Sequence, residues 1–130
     1  MNPQRIVRHA RRATIAFAAV AIFYLVSRYG VVPVPAEGES PIFGIGPGSR
    51  LLVDTWADAP NVEDVVLFRH EQGGATVLQL GRVRSAPSGA SLPADSLWIE
   101  CDDVGVAGFD SAVEGPVAKE RVVARVLFAF

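Results

Sequence analysis

Cysteine, methionine and lysine each occur once in these 130 residues, and no acidic residue precedes Glu37. A single cysteine, Cys101, excludes an internal disulfide. It reads as a buried, inert thiol, with pairing between chains as the other use open to it. The single lysine, Lys119, is followed by Glu120 and Arg121 and reads as a surface charge. All fourteen acids lie beyond residue 36, together with seven of the twelve basic residues. That acidic balance excludes nucleic-acid binding, which needs a basic surface.

The start of the chain is basic and then apolar. Residues 1–12 carry Arg5, Arg8, Arg11 and Arg12, and residues 13–26 are apolar except for Thr14. Fourteen residues fall short of the roughly 20 that a helix needs to cross a bilayer. Ser27-Arg28-Tyr29-Gly30-Val31-Val32 completes the span if Arg28 snorkels to the interface, with Tyr24 and Tyr29 suited to the aromatic belt. Residues 1–12 are therefore expected to be a basic cytoplasmic segment and residues 13–34 a transmembrane anchor. The positive-inside rule puts the acidic part on the outer, periplasmic or extracellular side of the plasma membrane. A cleaved leader, with Val34-Pro35-Ala36 as its small-residue site, is the other arrangement considered.

Residues 35–49 form a lead-out, with Pro35 and Glu37-Gly38-Glu39 making its start stiff and polar. From residue 50 onward the pattern is of strands, at 50–56, 64–70, 75–84, 97–100 and 121–130. Gly73-Gly74 supplies a hairpin turn that pairs His70 near Val77. Alternation puts Arg82 and Arg84 on one face and Val83 on the other. The fold expected is all-β: a single N-terminal transmembrane helix followed by a small, mostly antiparallel β domain at 50–130. No cofactor-binding motif is present, and the acids Asp102, Asp103 and Asp110 match no cation-loop spacing. Phe128 and Phe130, if exposed, make a patch for another subunit to cover.

Four short motifs in order carry a family resemblance. Ser40-Pro41-Ile42-Phe43-Gly44-Ile45-Gly46-Pro47-Gly48-Ser49 precedes a hydrophobic strand ending in Asp54. Glu63-Asp64-Val65-Val66-Leu67-Phe68 follows, then Gly81-Arg82-Val83-Arg84-Ser85-Ala86-Pro87. The last comprises Cys101-Asp102-Asp103, Gly108-Phe109-Asp110-Ser111-Ala112 and Gly115-Pro116-Val117. Together with the anchor, these resemble the type I signal peptidases, membrane proteases built on a serine–lysine dyad. The resemblance implies a signal-peptidase-like β domain, with Ser40 at the nucleophile position and Gly81 at the position of the general base. Asp110 and Ser111 fall on the last box. Gly48 falls on the family's glycine, while Glu63 stands in place of the glycine of its Gly-Asp-Val-Val motif.

The departures fall on chemistry. A serine hydroxyl needs an adjacent base to take its proton, and glycine has no side chain to do so. Gly108 replaces the serine that orients the base, and Ala112 replaces an arginine. The resemblance therefore implies a pseudoenzyme. Such a protein acts by binding, as an accessory subunit of a membrane complex or as a holder of an extended peptide. The alternative is an active serine endopeptidase using Ser40 with an unusual or partner-supplied base. His70, the one histidine of the strand region, sits several residues from Gly81 and reads as a solvated hairpin residue. A third reading, chance likeness on a plain structural β domain, would be supported if the closing strand did not pair with the strand containing Leu52.

Overall fold

The computed structural model describes residues 2–35, 40–56, 59–103, 105 and 108–130. The site Val34-Pro35-Ala36 and the lead-out Glu37-Gly38-Glu39 fall partly or wholly outside them. An N-terminal helix, α1 (Pro3–Arg28), opens the chain. Asn2 caps it by accepting from the Gln4 N–H at 3.0 Å, and Pro3 takes the first turn, where a missing N–H costs nothing. At 1.5 Å per residue, its 26 residues reach about 39 Å, long and apolar enough to cross a membrane. None of its residues is buried against the rest of the protein.

The helix ends earlier than the hydropathy suggests. Tyr29, Gly30, Val31 and Val32, which were expected to complete the span, form strand β1 (Tyr29–Pro33) instead. Glycine, two adjacent β-branched residues and a proline disfavour helix, and β2 (Arg50–Asp54) offers an antiparallel partner, with Val31 opposite Leu52. The basic residues 5–12 belong to the same continuous helix as the apolar run.

Helix and sheet are tied at this junction. Thr55 satisfies the last helical carbonyls, donating from N to Arg28 O at 2.8 Å and from Oγ1 to the same oxygen at 2.7 Å. Arg28 donates from Nε and Nη2 to the two oxygens of Asp54, at 3.1 and 2.9 Å. Its guanidinium lies between 5.3 and 5.8 Å from the ring centres of Tyr24, Tyr29 and Trp56. Asp54 is 1 % exposed and has a second cation, Arg125, at 3.6 Å. The hydrogen bonds from Arg28 hold its carboxyl below the usual carboxylate range. Asp54→Ala leaves Arg28 and Arg125 without their shared anion, and is expected to destabilise the chain by about 2 kcal/mol. Chemical denaturation of the full chain in detergent measures this; a loss under about 0.5 kcal/mol, the level of an ordinary surface change, would show that the junction carries little.

The remaining strands are β3 (Val65–Gln72), β4 (Ala75–Arg84), β5 (Ser96–Glu100), β6 (Val117–Ala118) and β7 (Val122–Ala129). A one-turn helix, α2 (Ser111–Glu114), precedes β6, and a 3-10 turn, Lys119–Arg121, follows it. They form one seven-stranded sheet in the order β1-β2-β7-β3-β4-β5-β6, and every neighbouring pair is antiparallel. The hairpin turns at Gly73-Gly74, and His70 pairs with Val77. Leu52 pairs with Phe128, so the observation that would have supported chance likeness is not made.

The sheet has a core on each face. On one, Leu51, Val53, Leu67, Leu80 and Ala124 pack with Ile42 and Ile45 from the loop before β2. On the other, Val66, Phe68, Val83, Leu97, Ile99 and Val117 pack together, with Phe109 against them. Because β6 pairs with β5 while β7 continues alongside β3, the chain wraps round this second core like a small, incomplete barrel. Beside it on the same face, towards β1, the sheet is bare: Val31 is 56 %, Phe128 54 % and Phe130 61 % exposed.

Candidate functional site

Ser40 and Gly81, the two positions singled out for a dyad, serve opposite faces of the sheet. Ile42 and Ile45 anchor the Ser40 loop to the core that contains Leu67 and Leu80. Gly81 lies between Leu80 and Arg82 on β4, and alternation turns its side-chain direction to the other core. A Cβ at residue 81 would stand 2.3 Å from Cγ2 of Ile99 and 2.9 Å from Cε1 of Phe68. The place beside Gly81 is therefore filled with hydrocarbon, with no room for even a methyl group unless the neighbours move.

The hydroxyl of Ser40 is engaged locally. It accepts from the Ile42 N–H at 3.3 Å and lies 3.2 Å from the Ile42 carbonyl, the geometry of a serine closing its own turn. Among the described residues no titratable side chain hydrogen-bonds to it.

A partly buried ion cluster holds this loop down. Arg82 donates from Nε to Asp102 Oδ1 and from Nη2 to Asp102 Oδ2, both at 2.9 Å. Arg84 approaches the same carboxylate at 3.6 Å and also pairs with Glu63. The carboxylate then accepts from the Phe43 N–H at 3.1 Å, while the N–H groups of Asp102 and Asp103 donate to the Pro41 carbonyl at 2.8 and 3.1 Å. The Arg82 hydrogen bonds keep the Asp102 carboxyl below its usual range, despite the opposing effect of burial. The same bonds raise the Arg82 guanidinium further. Arg82 and Arg84 share a face as alternation requires, but nothing in the local pattern identifies Asp102 as their partner.

The last box has structural work. Asp110 caps α2 by accepting from the Ala112 N–H at 2.8 Å, and takes the Cys101 N–H at 3.1 Å. Ser111 is buried, and its Oγ accepts from the Ile99 N–H at 2.9 Å, fastening α2 to β5. Gly108 stands where the resemblance calls for a base-orienting serine. A Cβ there would meet Oε1 of Gln79 at 2.5 Å, because that amide is clamped to the Phe109 backbone by bonds of 2.8 and 2.9 Å. Cys101, half-buried against Gln79 and Phe109, has its thiol pushed up to about 11, first by desolvation and then by Asp110 nearby. It is a poor nucleophile there.

His70 is not the solvated hairpin residue expected. It is 6 % exposed, packed against Phe68 and Phe109 with ring centres 5.8 and 5.7 Å away. Phe109 arrives from a loop 39 positions away, which the hairpin pattern does not reveal. No cluster of metal-ligating side chains occurs among the described residues. No family model, curated protein or solved structure matches the chain.

Proposed function

We propose that this protein is a single-pass, membrane-anchored relative of the signal peptidases that has no proteolytic activity and works as a binding or accessory subunit of a membrane complex. The observation that carries the reading is the separation of Ser40 from position 81. The loop that follows Ser40 packs on one face of the sheet, while position 81 faces the other and is walled in by Ile99 and Phe68. A base at residue 81 would have to cross the sheet to reach the serine.

Backbone geometry supports the kinship. Gly48 and Gly115, which fall on glycines of the family's motifs, have φ of 80° and 87°. Glu63, at the family's glycine before Asp64, has φ of 80° and is the one described residue other than glycine with positive φ. Side chains seldom occupy that region, so Glu63 adopts a backbone suited to the glycine of the motif. The basic first turns of α1 support an inward N-terminus and an outward sheet. The bare surface formed by Val31, Phe128 and Phe130 supports contact with another subunit.

The test is cleavage of a signal-peptide substrate by the full chain reconstituted in vesicles. No turnover is expected, and Ser40→Ala should be indistinguishable from the parent in activity and within about 0.5 kcal/mol in stability. Turnover that disappears in Ser40→Ala would establish the active endopeptidase instead.

A further inference from the structure

The end of the second core next to His70 is open. A hollow of about 400 Å³ lies there, lined by Arg69, His70, Ser96, Phe109, Val117 and Arg121 among others. A shallower neighbour of about 300 Å³ shares Arg69, His70 and Arg121, and adds Glu71 and Glu120 on its outer side. Among the described residues, no carboxylate lines the larger hollow. Its size falls in the range of small-molecule sites, and the mouth of a barrel is a common place for one.

The feature that makes it a site is His70. The residue is more than nine-tenths buried, and its Nε2 has no hydrogen-bond partner among the described residues. Buried polar atoms are nearly always satisfied, so an unpartnered one on a residue that lines a hollow points to a group that reaches it when the hollow fills. The other nitrogen, Nδ1, lies 3.4 Å from the Glu71 carbonyl. That contact uses Nδ1, so Nε2 is the nitrogen left for a ligand. Arg69 reaches only a backbone carbonyl, that of Glu120, at 3.4 Å, and neither Arg69 nor Arg121 forms a salt bridge among the described residues.

We propose that this hollow binds a carboxylate carried on a short apolar body, supplied either as a free acid or as the C-terminus of a peptide. The planar guanidinium of Arg121, with Arg69 beside it, matches a carboxylate's two oxygens, and a small turn of the imidazole brings Nε2 to share the acid's proton with one of them. Phe109 and Val117 give the apolar body a wall. The hollow faces away from the Ser40 loop, so the inference stands whether or not the chain cleaves anything.

The experiment uses the full chain in nanodiscs, with calorimetry and the His70 imidazole resonances as readouts. Butyrate and the peptide Ala-Val-Ala are the probes; butyramide, the amidated peptide and inorganic phosphate are the controls. Saturable binding of butyrate or free peptide that shifts the His70 signals is expected, and whichever binds tighter identifies the source. Arg121→Gln, at an exposed position, should fold normally and weaken binding about tenfold. His70→Phe keeps the ring packing and should abolish it. Binding of butyramide or phosphate as tight as that of the carboxylates would overturn the inference. So would undiminished binding in folded Arg121→Gln, or no saturable shift with either probe.

Discussion

Restoring a lysine by Gly81→Lys is expected to damage the fold and to produce no hydrolysis. Even the β-carbon would stand 2.3 Å from Ile99 and 2.9 Å from Phe68, both of them fully buried. Overpacking of this kind costs about 1–3 kcal/mol for a methyl group, so Gly81→Ala alone should lower the melting temperature by about 10 °C in a domain of this size. The lysine adds a charge among hydrocarbon neighbours and should bring the total beyond about 4 kcal/mol. Combining Gly81→Ala with Ile99→Ala should recover part of the loss, giving a coupling of about 1 kcal/mol or more in a double-mutant cycle. Thermal melts of the full chain in detergent decide the matter. A Gly81→Ala protein that melts within two or three degrees of the parent, roughly the effect of a surface change, would mean that Ile99 and Phe68 yield easily and that the pocket is there to be reopened.

Asp102→Asn is expected to loosen the Ser40 loop without unfolding the sheet. The substitution removes the anion shared by Arg82, Arg84 and the Phe43 N–H, at a cost of about 2–3 kcal/mol. Faster hydrogen exchange at the Phe43 amide, with little change in the β3–β4 hairpin, is the local signature. The effect also has a pH sign. Hydrogen bonds from Arg82 depress the folded-state value of Asp102 below the roughly 3.9 of an unfolded aspartate. The stabilisation is therefore complete above about pH 4 and lost as the pH falls through the lower folded value. Denaturation curves between pH 6 and pH 3 should fall less steeply for Asp102→Asn than for the parent. Equal slopes would show that Asp102 contributes no acid-sensitive stability.

The legible parts of this protein were those fixed by neighbours in the chain. Two glycines at residues 73–74 set a turn, the turn sets a register, and the register pairs His70 with Val77. Alternation likewise placed Arg82 and Arg84 together. What escaped the sequence depends on partners far along the chain. Gly30-Val31-Val32 reads equally well as the end of a span or as a strand, and only the presence of β2 decides between them. The opposition of Ser40 and Gly81 depends on which face of the sheet the loop returns to, and no local pattern records that. The same holds for His70, enclosed by a phenylalanine from another loop, and for the pairing of Arg82 with Asp102. The motifs β6 and α2 are too short, at two and four residues, to leave a periodic signal.

The junction at Arg28 has a mechanical consequence. No slack separates α1 from β1: residue 28 ends the helix, residue 29 starts the strand, and Thr55, Asp54 and Trp56 clasp the corner from the next strand. A domain hung from a flexible tether would sample many attitudes relative to its helix. Here rod and plate are welded. A helix adjusts its tilt to the thickness of the bilayer around it. In the membrane-anchored arrangement proposed above, a stiff corner would pass that adjustment to the sheet, so the lipid environment would set the angle at which the bare face near Phe128 and Phe130 meets its surroundings.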